Sequence, residues 1–206
     1  MNKNSVLCNF LNEHKDNWKE LLEAEPYLLN IKEPEEEGYD NLRIFKYNQC
    51  GSDFTIPEVQ EARGIIINIE TLEVVCWPFR KFANFGESYA DDIDWATARV
   101  TEKIDGSIMK LWYNKPVERW ELSSNSCFNA YKEMASCIGS CVTSSVSFGK
   151  LFETAAVNLD KSILDKDKTY IFELCSPDNV VVVQHKAPQD LSYRHETQYN
   201  RKRIKR

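Results

Sequence analysis

The 206-residue chain has no apolar stretch approaching the roughly 20 residues needed to span a bilayer. Its N-terminus, Met1-Asn2-Lys3-Asn4-Ser5-Val6-Leu7-Cys8, lacks the uninterrupted apolar core of a secretory signal. Together these absences lead to the expectation of a cytoplasmic protein, in the cytosol or a comparable reducing compartment, without a membrane partner. There is no C-x-x-C pair among the seven cysteines at 8, 50, 76, 127, 137, 141 and 175. Cys137 and Cys141 could share a helix face, but no histidine lies near them, and a structural zinc site needs about four ligands at recognisable spacing. Reduced thiols, several of them filling the core, are the simpler reading. Internal repeats and domain linkers are also missing.

An excess of positive charge is lacking as well. The net charge is −6, and Arg201-Lys202-Arg203-Ile204-Lys205-Arg206 holds five positive charges and no acids. Setting those five aside from 26 basic residues leaves 21 against 32 acidic, a net of −11 for residues 1–200. Such a body does not bind nucleic acid indiscriminately over its whole surface, although a local basic groove is compatible with it. The division expected is one domain over 1–200 and a basic tail over 201–206, with enough chain for a substantial core.

What is present reads as alternating strands and a few helices. The spacing of Trp18, Leu21 and Leu22 predicts a helix over 13–25, ended by Pro26. An acidic loop follows at 32–38. Strands are expected at 42–47, 64–69, 73–77, 99–103, 108–113, 118–122, 169–174 and 179–184. The continuous β-branched run from Gly64 to Ile69 suits a strand buried on both faces. The region 123–147 contains eight serines, with a helix expected near 129–138. Phe148, Leu151, Phe152, Ala155 and Leu159 mark an amphipathic helix. The fold class is therefore α+β and rich in antiparallel sheet.

One run carries chemistry: Thr101-Glu102-Lys103-Ile104-Asp105-Gly106-Ser107, a lysine two residues before an Asp-Gly turn. Alone, K-x-D-G is a weak pattern, since lysine on a polar turn is commonly solvated surface and Asp-Gly is a common hairpin turn. Upstream stand Glu61-Ala62-Arg63-Gly64 and Lys81-Phe82-Ala83-Asn84-Phe85-Gly86-Glu87. Downstream stands Tyr170-Ile171-Phe172-Glu173-Leu174-Cys175-Ser176-Pro177-Asp178-Asn179. A carboxylate inside an apolar run, as at Glu173, is costly unless it has a partner.

In this order the segments, from about Leu42 to Thr197, resemble the nucleotidyltransferase domain of phage-type RNA ligases, the RNA ligase 1-like family. The resemblance implies an ATP-grasp-like ligase fold and an enzyme that seals RNA in three nucleotidyl-transfer steps using ATP and Mg²⁺. It makes Lys103 the catalytic nucleophile, which would form a lysyl-AMP intermediate. AMP would then pass to an RNA 5′-phosphate, and a 3′-hydroxyl would displace it. Lysine titrates near ~10.4 in water, so attack requires desolvation or nearby cations. By the same resemblance, Arg63 and Lys81 face the phosphates of ATP, and Asp105 and Gly106 form the turn that presents Lys103 to the nucleotide. Glu173 serves the nucleotide or the metal. Surface ion pairing is the alternative for Arg63 and Lys81, and pure core for Glu173. Pro177 and Asn179 look structural.

The chain departs from the family pattern in three places. Ala83 replaces the second phenylalanine of K-F-F-N. Asn125 and Ser126 stand where relatives carry a basic residue and glycine. No E-G-x-V segment follows Glu173, and Lys202-Arg203-Ile204-Lys205 only superficially mimics the family's later K-x-K. The resemblance thus implies a C-terminally incomplete ligase domain. Its partners would be RNA ends, tRNA among the candidates, and in one reading a second polypeptide supplying the missing motifs. The alternative is a non-catalytic or split-enzyme remnant that binds nucleotide, RNA or another chain. DNA ligases and capping guanylyltransferases share the lysine motif, but E-A-R-G and K-F-x-N-F-G-E favour RNA ligase.

Overall fold

The computed structural model describes residues 5–35, 39–136, 143–183, 185 and 190–198. Two four-stranded antiparallel sheets face one another. The first has the order β1-β2-β3-β4, from Asn30–Lys32, Leu42–Lys46, Arg63–Asn68 and Glu73–Cys76. The second has the order β10-β9-β5-β6, from Asp190–Gln198, Lys168–Cys175, Ser107–Asn114 and Arg119–Ser123. A small hairpin joins β7, Met134–Ser136, to β8, Thr143–Ser147.

Alternation along the strands sorts side chains into three layers. On β3, Ile65 and Ile67 join Leu7, Leu11, Leu22 and Val59 of helices α1 (Val6–Glu13), α2 (Trp18–Glu23) and α3 (Pro57–Glu61). Ile66, between them, turns the other way to meet Ile44, Cys76 and Trp112 of β5. On β5 and β9, Met109, Leu111, Tyr170 and Phe172 pack on Leu151 and Phe152 of α4, Phe148–Ala155. The order is helices, sheet, sheet, helix. Each fully buried large apolar side chain contributes roughly 1.5–3 kcal/mol.

The middle layer is partly polar. Trp77 N donates to Thr169 Oγ1 at 2.9 Å, and Lys110 Nζ donates to Gly64 O. These bonds join strands of different sheets, fixing how one lies on the other.

Several expectations need correction. The helix predicted over 13–25 is shorter, α2 at Trp18–Glu23, because the chain turns at 14–17 after α1 and Asn17 starts α2 without a side-chain cap. No strand forms at 99–103, where every residue through Lys103 is exposed and has no ladder to join. Asn129 does not open a helix: its Oδ1 accepts from Tyr131 N in a tight turn that leads into β7. Residues 179–183 form no strand, since Asn179 closes an isolated bridge with Ser176 and bends follow. The strand beside β9 is instead β10, drawn from residues with no marked apolar alternation. Cys137, Cys141 and the basic tail at 201–206 lie outside the described residues.

Candidate functional site

β5 begins directly behind Lys103-Ile104-Asp105-Gly106. Lys103 is exposed at the end of the connection from β4, and Asp105 is half-buried. The Asp105 carboxylate is committed: Oδ2 accepts from Val182 N at 2.8 Å and from Val183 N at 2.7 Å. These amides hold its pKa below the ordinary aspartate value. Its carbonyl accepts from His185 Nε2 at 2.6 Å. Asp105 thus latches the segment after β9 onto the base of the loop that carries Lys103.

Gly106 explains its own identity. A Cβ here would lie 2.5 Å from Leu174 O and 3.1 Å from Glu173 Cγ. Glycine lets β5 start in close contact with β9, which sets Asp105-Gly106 against Glu173. In register, Glu173 stands opposite Ile108 of β5 and Ser192 of β10. Asn179, buried in the turn after β9, donates through Nδ2 to Ser107 Oγ at 2.9 Å and to Leu174 O at 3.3 Å.

Arg63 opens β3. Its guanidinium lies over the Phe82 ring at 4.8 Å, and one terminal nitrogen reaches Arg80 O at 3.5 Å. Its Nε is buried without a hydrogen-bond partner, an orphan donor of the kind a bound anion satisfies. Lys81 runs alongside, with its backbone N–H on Gln60 O at 2.7 Å and its ammonium on Phe82 O at 2.9 Å. Phe54 and Tyr89 present ring faces to that ammonium at 5.3 and 5.7 Å. The fold therefore forms two groups, Arg63 with Lys81 beside Phe82, and Asp105-Gly106 with Glu173, the second following exposed Lys103 in the chain. Lys110 bridges the strands that carry them.

Sequence reasoning missed two residues. Glu61 is buried, accepting from Ser5 Oγ and Leu7 N, each at 2.9 Å, with Arg80 3.9 Å away. It caps α1 and anchors that helix beside Arg63. Burial, its largest influence, raises its pKa. The second is Lys110, wholly buried among Met109, Leu111 and Trp112. The signal was available, since a charge within an apolar strand demands a partner, the reasoning that singled out Glu173.

Among the described residues, no cluster of three or more His, Cys, Asp or Glu side chains could hold a metal ion, and no helix is long and apolar enough to cross a membrane. Mg²⁺ commonly takes one or two carboxylates together with substrate phosphates, and Glu173 on β9 is the carboxylate set against Gly106.

A family described as RNA ligase matches residues 61–206. A protein of Autographa californica nuclear polyhedrosis virus, which carries the name of a bifunctional polynucleotide kinase/RNA ligase, is 30% identical over 175 residues. That alignment covers 74% of this chain and 23% of the viral protein, so the chain spans about a quarter of that relative's length.

Proposed function

Because the chain belongs to the phage-type RNA ligase family, we propose that residues 1–200 form an ATP-grasp-like nucleotidyltransferase domain that joins RNA 5′-phosphate and 3′-hydroxyl ends. The observation that carries this reading is the packing of Asp105-Gly106 on Glu173 directly behind Lys103, with an orphan Arg63 donor on the adjoining sheet. Lys103 Nζ, as the neutral amine, attacks the α-phosphorus of ATP. A nitrogen–phosphorus bond forms, the bond to the bridging oxygen breaks, pyrophosphate leaves and the amine proton passes to solvent. An RNA 5′-phosphate oxygen then takes the AMP, and a 3′-hydroxyl displaces it.

Each step occurs at phosphorus, so positioning and charge neutralisation supply most of the rate. Arg63 and Lys81 hold the phosphates, the Asp105-Gly106 turn presents Lys103, and Glu173 serves the nucleotide or its Mg²⁺. The test is purified protein with Mg²⁺ and α-labelled ATP on a denaturing gel. A covalent label absent from Lys103→Ala is expected. A folded parent that takes no label overturns the autonomous-enzyme reading. Transfer from GTP instead would indicate a capping-type enzyme.

A second reading has its own observation. Phe82, Phe85, Ile93, Trp95 and Val100 are all exposed on the connection that carries Lys81 and Lys103. A subunit whose nucleophile loop is covered by another polypeptide would look like this. Covalent labelling of the isolated chain separates the two.

A further inference from the structure

Lys110 is among the largest fully buried side chains of the protein. Its ammonium donates to the carbonyl of Gly64, and no carboxylate lies within ion-pair distance among the described residues. An apolar chain of equal length would fill this place without desolvating a charge, so stability alone does not account for a lysine here.

The carbonyl it holds is a special one. Gly64 has φ +80°, in the left-handed region, and the β2–β3 register shifts beside it, between Phe45 and Lys46. A Cβ on Gly64 would meet Asn125 Cα and Lys110 Nζ, each at 2.7 Å. The irregular turn is thus closed on one side by the backbone at Asn125 and pinned by Lys110. Immediately before it stands Arg63. Lys110 itself lies on β5, four residues beyond Gly106 in the strand that starts behind Lys103. Lys46, from the shifted position of β2, donates to Ser126 Oγ at 2.6 Å, tying the Asn125 segment to the same irregularity.

We propose that Lys110 is a positioning residue: by holding the Gly64 carbonyl it fixes the Arg63 guanidinium at a set place relative to the nucleophile strand. This rests on Arg63 acting as a phosphate clamp. Lys110 makes no substrate contact in this role and acts entirely through the turn at 63–64.

The experiment measures ATP affinity by calorimetry and hydrogen exchange of a peptide spanning 62–66, on the full chain. The variants are Lys110→Met, Arg63→Ala and the double substitution. Misplacing a contact by about 1 Å can cost up to roughly a hundredfold, so Lys110→Met is expected to weaken ATP binding about tenfold or more. It should also raise exchange at 62–66, and the double variant should bind no more weakly than Arg63→Ala, because both act through one group. If Lys110→Met does not fold, Lys110→Gln, too short to reach the carbonyl, is read by the same criteria. Unchanged affinity with Arg63→Ala weakened, or losses that multiply in the double variant, overturns the role of Lys110 alone. Unchanged affinity in Arg63→Ala overturns the phosphate-clamp reading and this inference with it.

Discussion

Arg63 and Glu173 stand on strands with mainly buried neighbours, whereas Lys81 and Lys103 stand on residues 77–106, a connection with no helix or strand. The first setting is over-determined. Gly106 allows no Cβ against β9, Gly64 none against Asn125, and Lys110 links the two sheets. The second is tied near its start, through Lys81 N on Gln60 O, and at its end through Asp105. Between them, residues 91–103 are all exposed, with local hydrogen bonds such as Thr97 to Asp94. Of the proposed site residues, Arg63 and Glu173 thus sit where packing locks side chains, while Lys81 and the proposed nucleophile sit on chain with fewer ties.

Substitutions in the two settings should differ in what they cost. The largest effect is expected at Lys103→Ala: complete loss of covalent AMP on a denaturing gel, with a melting temperature within about 2 °C of the parent because the residue is exposed. A large loss of stability would show that the connection is not the loose region described.

Next in size is a pH effect at Lys110, whose pKa burial lowers from 10.5 to about 8. Between those values the unfolded chain binds the extra proton, so this group makes the parent more stable as pH rises. Across the window, unfolding by denaturant should show the parent gaining on the order of 3 kcal/mol relative to Lys110→Met. Cys76, Cys127, Glu133 and Lys46 surround the ammonium and shape the curve. They are present in both proteins, but Lys110 in turn lowers the Cys76 pKa, so the difference reports Lys110 together with its coupling to that thiol. A flat difference would mean that water reaches the middle layer.

Gly106→Ala comes third. Its Cβ would press on the backbone of β9, at a cost of about 1–3 kcal/mol in a denaturant titration. Glu61→Ala should cost roughly 2 kcal/mol by releasing Ser5 and Leu7, with Glu61→Gln recovering part of it. At the small end, Trp95→Ser should stay within about 0.5 kcal/mol of the parent, since that ring is 73% exposed.

The buried-run strands were legible because hydrophobicity declares them: β2, β3, β4, β5, β6 and β9 lie close to where alternation or continuous apolar sequence put them. Helix α4 was legible for the same reason. Residues 99–103 and 179–183 carry β-branched side chains but no pairing partner, and propensity cannot supply one. β10 was hidden because its pairing comes from the neighbouring edge of β9 rather than from its own pattern. Among the site residues, the motif order indicated which residue types to examine. It could not show that Asp105 is spent on two backbone amides, nor that Gly106 answers to β9. Lys110 belongs to no motif, and only the opposing sheet shows what it holds.

The cap that Glu61 places on α1 bears on how the protein can be cut. The family match begins at residue 61, a natural place to start a shortened expression fragment. Such a fragment would keep Glu61 but lose Ser5 and the Leu7 amide, and would uncover Ile65 and Ile67 where Leu7, Leu11 and Val59 now lie. It should express as aggregate, whereas one starting at Ser5 should stay in solution. The first helix is part of the foundation on which the Arg63 edge stands, although it lies more than fifty residues upstream in the chain.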